Sequence, residues 1–156
     1  MSDRLDITDL VTALLHAIDQ RDWSRVRSCF GDTVAVDYTS LFGGEPETLT
    51  ADALIARWRA LLPGFDSTQH ISGPVLVSDR DSDTADARTA IRGYHYAAEA
   101  PGGPLWMVAG HYQIRLCKTA GIWAIDALTL ETAYQEGNSS LPAFASERAA
   151  HLARPS

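Results

Sequence analysis

Apolar residues change from a helical to an extended spacing halfway along the chain, and this change restricts the fold more than any other feature. They recur at every second position in four segments: HISGPVLVSD, DARTAIRGYHYAAE, LWMVAGHYQIRLCK and GIWAIDALTLET. Such alternation indicates strands with one buried face. The breaks between them, DRDSDT, APGGP and KTAG, carry turn residues. We therefore predict a long antiparallel meander over residues 70–132.

The first half of the chain has helical spacing instead. One apolar stripe predicts a first helix capped by Asp6, with the stripe formed by Ile7, Leu10, Val11, Leu14, Leu15 and Ile18. A short second helix begins after the cap Asp22 and ends at Gly31. A third begins at Thr50 and stops at Pro63-Gly64. Between the second and third helices, TVAVDYTS reads as a strand and LFGGEPET as a loop.

Helices gathered early and strands gathered late predict an α+β fold, in which the helices pack in a curved antiparallel sheet and leave a cone-shaped cavity. The 156 residues suffice for one hydrophobic core. We predict one domain over residues 1–140 and a C-terminal tail over residues 141–156, with a loosely held helix in the tail.

Composition and charge exclude several classes of function. The formal net charge of −7 argues against a nucleic-acid partner. No apolar run approaches the roughly 20 residues that span a bilayer, and the start MSDRLDITDL lacks the features of a signal peptide. We expect a cytoplasmic protein with no membrane partner. The two cysteines, Cys29 and Cys117, fit reduced thiols and no zinc motif, so no metal site is predicted.

Three polar residues could line the cavity. His70 stands just before a strand, and its reference pKa of about 6.5 suits proton transfer near neutrality. Asp19 closes the first helix, where a carboxylate opposes the helix macrodipole; either solvent or a partner such as an imidazolium would compensate it. Tyr38 ends an apolar strand face, a position from which a phenol often lines a pocket. A structural histidine remains an alternative for His70.

Strand parity orients two further histidines. In MVAGHYQIRL the face that holds Tyr112 and Ile114 is the more apolar, so His111 should point outward, in a structural or interfacial role. His95 shares a face with Ile91 and Gly93 that could point inward. We favour a core histidine over a catalytic one at this position.

The segment DWSRVRSCFGDTVAVDYTSL followed by STQH, with AGHYQIRL and GIWAI further on, resembles the scytalone dehydratase branch of the SnoaL-like, NTF2-like superfamily. The resemblance covers Val11 to Glu131. It implies an NTF2-like α+β cone, a homodimer or homotrimer, and cofactor-free acid–base chemistry on cyclic ketones, polyketides, terpenoids or steroids. It further implies that His70 abstracts a proton next to a carbonyl, that Asp19 orients it, and that Tyr38 positions a water.

The chain also departs from the pattern of that branch. Ile18 stands where the family has a second tyrosine, and Leu116 falls near the place of an asparagine. The family has a second catalytic histidine in the turn after the third strand, which this chain lacks: it has EAPGGP there, with Pro101 near the corresponding place. Glu99 could offer a replacement carboxylate. These departures weaken scytalone itself as a substrate.

The sequence therefore predicts a hydrophobic pocket in which Asp19, His70 and Tyr38 act on a small hydrophobic carbonyl substrate without a cofactor. The reaction is a dehydration, an isomerisation or a cyclisation. Six residues are predicted to bind the substrate: Leu41, Trp58, Leu62, Phe65, Tyr112 and Ile114. Two alternatives remain open, a ligand-binding module without catalysis and a dimerisation scaffold of the same fold.

Overall fold

A computed structural model of the protein describes residues 3–155. Its helices are α1 (Asp3–Gln20), α2 (Trp23–Ser28), α3 (Thr39–Phe42), α4 (Ala51–Arg59) and α5 (Leu141–Leu152), with a 3₁₀ turn at Leu62–Gly64. Its strands are β1 (Phe30–Asp37), β2 (Glu47–Thr50), β3 (Ser67–Ser72), β4 (Leu76–Asp79), β5 (Thr84–Tyr96), β6 (Leu105–Thr119) and β7 (Ile122–Gly137). Over the described range, none of the helices combines the length and hydropathy needed to cross a membrane.

All seven strands belong to one curved, open sheet in the order β2-β1-β7-β6-β5-β3, with β4 also paired to β5. Strands β5, β6 and β7 form the predicted antiparallel meander. Strand β1 pairs with β7 in parallel, with Ala35 opposite Ala127. The expectation of a purely antiparallel sheet is therefore wrong at this ladder. Alternation of apolar residues shows which face of a strand is buried. It does not show which strand it pairs with, or whether the two strands run parallel or antiparallel.

The stripe of α1 fills the concave side of the sheet. Its buried members are Ile7, Val11, Leu14, Leu15, Ala17 and Ile18, and they join one core with Leu116, Ile125 and Leu128 from the sheet. The predicted cap at Asp6 is wrong, because the helix already includes Asp3. The Asp3 carboxylate accepts hydrogen bonds from Lys118 and Trp123. These tertiary contacts stabilise the first helical turn, which precedes the predicted cap residue Asp6.

The predicted cap at Asp22 is confirmed, and Thr50, where the third helix is predicted to begin, is the N-cap of α4. Asp22 accepts a hydrogen bond from the Arg25 N–H at 3.0 Å, and Thr50 accepts one from the Ala53 N–H at 3.1 Å. Helix α2 ends at Ser28, before the predicted Gly31, because the chain from residue 30 onward is needed for β1. Helix α4 likewise ends early, and the 3₁₀ turn extends the helical path to Gly64.

Short elements escaped the sequence patterns. The predicted loop LFGGEPET holds the end of α3 and the first half of β2, and the next residue of this strand, Leu49, pairs with Val34 of β1. The predicted strand HISGPVLVSD is split into β3 and β4. The interruption contains Pro74, which has no N–H to donate to a ladder.

Helix α5 is packed on the protein, in contrast to the loosely held helix predicted for the tail. Leu141 and Ala145 are fully buried, and the helix lies against the 3₁₀ turn. At Gly64 the two backbones approach so closely that a Cβ atom would lie 1.8 Å from the Ala145 carbonyl oxygen. The glycine is required for this packing because even one methyl group has no space there.

Substitution Gly64→Ala should lower the free energy of unfolding by about 3 kcal/mol, since the added methyl group forces two backbones apart. Denaturation in urea measures this change. Gly31→Ala is the matched control, because a Cβ atom there meets nothing closer than 3.9 Å. Equal stability of the two variants would contradict the packing described for α5.

Candidate active site

Asp19 and His70 form a hydrogen-bonded pair between the last turn of α1 and strand β3. Asp19 Oδ1 lies 2.6 Å from His70 Nδ1, and Oδ2 accepts the backbone N–H of His70 at 2.8 Å. The side chains are only 19% and 11% exposed, respectively. Both carboxylate oxygens of Asp19 are therefore hydrogen-bonded to His70. The second ring nitrogen, Nε2, is not used in this contact, and the His70 side chain lines the cavity described below.

The environment of Asp19 favours its ionised form. Burial opposes ionisation, but hydrogen bonds from His70 and from the Thr68 hydroxyl outweigh it and lower the pKa of the carboxyl. The ionised Asp19 carboxylate can only accept a hydrogen bond, so His70 Nδ1 carries the hydrogen and donates it. From these partners we assign the His70 tautomer with hydrogen on Nδ1 and a free lone pair on Nε2.

A cavity of about 290 Å³ opens beside this pair, between the inner face of the sheet, α1 and α4. Four of the six predicted substrate-binding residues line it: Leu41, Trp58, Leu62 and Tyr112. Phe65 and Ile114 are not among its lining residues. Phe65 packs behind His95, and Ile114 belongs to the solid core. Alternation along β6 predicted that Ile114 is buried, but alternation does not show whether a buried side chain faces the cavity or the solid core.

Tyr38 and Tyr112 meet inside the cavity. Their hydroxyl oxygens are 3.3 Å apart and their rings are edge to face, with centroids separated by 6.4 Å. Tyr38 directly follows β1, and Tyr112 lies on the inner face of β6. Burial raises the pKa of both phenols, and the neighbouring Tyr112 raises that of Tyr38 further. Both groups are therefore protonated at neutral pH and can donate hydrogen bonds.

His95 is buried, as predicted for a core histidine, and it also lines the cavity. Its ring packs against Phe65 at 4.9 Å, Trp106 at 4.6 Å and, edge-on, His70 at 5.6 Å between centroids. Its Nδ1 lies 3.3 Å from the Trp106 carbonyl oxygen. Burial, followed by the proximity of His70, lowers the pKa of His95 to about 4. A neutral second imidazole thus lines the cavity.

The turn in which the resembled family has its second histidine lies apart from the cavity. Pro101 lies in an exposed turn, outside the residues that line the cavity. The inward parity of His95 on β5 was the available signal. Gly93, on the same face, reinforces it: a Cβ there would lie 3.2 Å from His95 Cε1 and 3.5 Å from His70 Nε2. The glycine leaves room for both imidazoles.

Most of the remaining sequence candidates lie apart from the Asp19–His70 pair and the two phenols. Leu116 is core, Glu99 is exposed, and His111 lies on the opposite face of β6 from Tyr112. Ile18 does line the cavity, as a purely apolar wall. Within residues 3–155, no group of three or more His, Cys, Asp and Glu side chains could hold a metal ion.

The rim of the cavity is charged, in contrast to its walls. Arg57 makes a two-pronged hydrogen bond to the Glu47 carboxylate, and Glu45 also borders the opening. Since one acidic group balances Arg57, the other leaves the rim with a net negative charge. The rim should therefore disfavour anionic ligands.

Comparison with known proteins agrees with this architecture. Residues 1–129 match a family model described as a SnoaL-like domain. A scytalone dehydratase-like protein of Claviceps purpurea (strain 20.1) is 29% identical over 85 residues, which cover 51% of this chain and 52% of that protein. The match thus spans about half the length of this curated relative.

Solved structures share the whole fold. The protein Kfla4162 of Kribbella flavida superimposes with a TM-score of 0.81 and 28% identity, over 95% of this chain and 97% of that chain. Hexachlorocyclohexane dehydrochlorinase LinA-type3 of Novosphingobium barchaimii LL02 gives a TM-score of 0.70 and 18% identity, over 87% and 90% of the two chains. At this lower identity the similarity is one of fold.

The stability of the protein should fall as the pH is lowered from 6.5 to 4. In this window the unfolded chain protonates the imidazole of residue 95, whereas the folded protein, with its pKa lowered to about 4, does not. Stability is therefore fully present above the unfolded pKa and is lost on acidification, by up to roughly 3 kcal/mol at about 1.36 kcal/mol per pKa unit.

Urea denaturation at successive pH values measures this loss. The variant His95→Phe, which keeps an aromatic ring between Phe65 and Trp106, should show a shallower dependence. His16→Ala, at an exposed position of α1, serves as the control and should keep the wild-type slope. An unchanged slope in His95→Phe would show that this imidazole is not the source of the acid sensitivity.

Proposed function

Because the chain belongs to the family of SnoaL-like domains, we propose that it is a cofactor-free acid–base enzyme acting on a hydrophobic cyclic carbonyl compound. The observation that carries this proposal is the Asp19–His70 pair at 2.6 Å on the wall of an apolar cavity. A ligand-binding site gains little from an imidazole held in one tautomer, whereas a general base depends on it. Proton transfer is thus the function that this geometry supports best.

The first step of the proposed reaction is proton abstraction next to the substrate carbonyl. The lone pair of His70 Nε2 takes the proton, and the electrons of the broken C–H bond form the C=C bond of an enolate. Negative charge collects on the carbonyl oxygen, while the Asp19 carboxylate stabilises the imidazolium. A base in this position typically contributes roughly 10²–10⁴-fold to the rate.

The two phenols supply the complementary half of the site. Their oxygen–oxygen distance of 3.3 Å is longer than the roughly 2.7–2.8 Å usual for a bond between hydroxyl groups. We propose that both phenols instead donate to one substrate oxygen placed between them. Two protonated donors in a largely apolar cavity stabilise an enolate oxygen without having to reorganise.

The second step returns the proton, and its target decides the reaction. If a hydroxyl group leaves from the next carbon, the enolate electrons re-form the C=O bond and generate the new C=C bond. The departing hydroxide then takes the proton from His70 and leaves as water. The name of the Claviceps relative supports this dehydration. Return of the proton to a different carbon would instead produce an isomerisation, and attack of the enolate on a second carbonyl a cyclisation.

His95 fits a binding role beside this chemistry. With Nδ1 directed to the Trp106 carbonyl oxygen, its Nε2 is an acceptor, and the pKa of about 4 keeps the ring neutral at physiological pH. It can accept a hydrogen bond from a substrate hydroxyl group. A substrate with a carbonyl and a hydroxyl group on one ring would use His95 and the phenols together.

A ligand-binding module is the second candidate. It is favoured by the predominantly apolar wall of the cavity and by the ion pair at the rim, which suit retention of a neutral hydrophobic ligand. Catalysis and binding differ in one measurable respect, the exchange of protons next to the carbonyl.

Exchange of α-protons for deuterium tests the proposal without knowledge of the natural substrate. Cyclohexanone, 1-tetralone and 2-tetralone are incubated with the protein in D₂O and followed by proton NMR. The wild type should accelerate exchange of a bound ketone by roughly 10²-fold or more, and His70→Ala should abolish the acceleration. His111→Ala, on the other face of the sheet, is the control. A ketone could instead raise the melting temperature of the protein and yet exchange its α-protons at the same rate with the wild type and with His70→Ala. That result would favour the binding module.

Removal of the phenolic hydroxyl groups should slow the same exchange. We expect a loss of roughly 10- to 100-fold in Tyr38→Phe or Tyr112→Phe, and a larger loss when both are changed, because each donor stabilises charge that appears only in the transition state. The NMR exchange rate measures this at saturating ketone. Full activity of the doubly substituted protein would rule out the phenols as the oxyanion site.

A further inference from the structure

An arginine closes the helix that carries Asp19, in a backbone conformation that favours glycine. Arg21 has φ of 58°. The Arg21 N–H donates to the Ile18 carbonyl at 3.1 Å, and the Asp22 N–H donates to the Ala17 carbonyl at 2.9 Å. This is the Schellman arrangement, in which the left-handed position is usually glycine. An arginine there is strained, so its side chain should have a compensating role.

The guanidinium group of Arg21 turns back beneath the Asp19–His70 pair. It donates to three uncharged oxygen atoms: the Asp19 carbonyl at 3.0 Å, the Leu62 carbonyl at 2.8 Å and the Thr68 hydroxyl at 3.1 Å. These acceptors belong to the end of α1, the 3₁₀ turn and β3. Burial lowers the pKa of Arg21, and the nearby Asp19 carboxylate opposes that effect. One side chain therefore ties together the elements that meet at the pair.

The contact with Thr68 determines where the Thr68 hydroxyl hydrogen points. A guanidinium can only donate, so Thr68 Oγ1 accepts from Arg21. Its single hydrogen is then free for Asp19 Oδ1, which lies 3.0 Å away. The same Oδ1 receives His70 Nδ1. Arg21 thereby fixes a second donor on the carboxylate oxygen that holds the imidazole.

We infer that Arg21 is a positioning residue, which orients Asp19 and thereby His70 through the buried Thr68 hydroxyl and the end of α1. It lies outside the residues that line the cavity, so it has no direct contact with a ligand bound there. Its positive charge also offsets the unfavourable placement of a carboxylate at a helix C-terminus. The consequence for catalysis rests on the proposed function, whereas the orientation of His70 does not.

Nitrogen-15 NMR of histidine-labelled protein tests the inference without a substrate. The ring Nδ1–H of His70, assigned by its disappearance in His70→Gln, should be shifted downfield and protected from exchange in the wild type. In Arg21→Gly, which suits the left-handed backbone, the Nδ1–H should exchange with water about tenfold faster, and the ring should become a mixture of tautomers. Thr68→Val, which removes only the relaying hydroxyl, should give the same result. Arg59→Ala, at an exposed position of α4, is the control.

Folded Arg21→Gly with the wild-type exchange rate and tautomer would overturn the inference. If that variant does not fold, wild-type behaviour of Thr68→Val overturns it equally. The ketone exchange assay keeps the two proposals apart. Altered His70 signals in Arg21→Gly, together with no ketone exchange by the wild type, would support the positioning role and reject the enzyme.

Discussion

Burial of the α1 stripe in the concave sheet is the interaction on which the site depends. The stripe fixes the rotation of the helix about its own axis, because its apolar side chains have one place to be buried. Ile18 is the last buried residue of that stripe, and Asp19 follows it. The position of the carboxylate beside β3 is thus set by the packing of apolar side chains along the whole helix. A helix rotated by one residue would bury a different set of side chains and direct the carboxylate away from His70.

Polar groups at this site lie among apolar neighbours, and their partners offset the cost of burial. Across residues 3–155, every buried side-chain nitrogen or oxygen atom has a hydrogen-bond partner. Asp19, Thr68 and Arg21 are satisfied by one another and by backbone groups. Such a network is rigid because removal of any member leaves another buried group unpaired. The hydroxyl oxygens of Tyr38 and Tyr112 are farther from each other, at 3.3 Å, than the members of this network are.

Local pattern predicted those parts of the fold that depend on local forces. The α1 stripe, the caps Asp22 and Thr50, and the faces of β5, β6 and β7 follow from spacing and short-range hydrogen bonding. The parallel pairing of β1 with β7, the packing of α5 on Gly64 and the short β2 depend on contacts distant in sequence, for which spacing holds no signal. At the site, the family resemblance suggested the Asp19–His70 pairing. The proximity of His95 to His70 emerged only from the register of β5 with β3.

The parallel ladder between β1 and β7 has a consequence for the order in which the cavity is assembled. The Asp19–His70 contact joins residues 51 apart in sequence, whereas the hydroxyl contact of Tyr38 and Tyr112 joins residues 74 apart. Tyr38 directly follows β1, whose internal neighbour is the last strand of the chain. Closing the longer of these two loops costs more conformational entropy. During synthesis, therefore, Asp19 and His70 are both present before β7, the strand that lies between β1 and β6 beside Tyr38 and Tyr112, and the cavity is completed only as β7 docks.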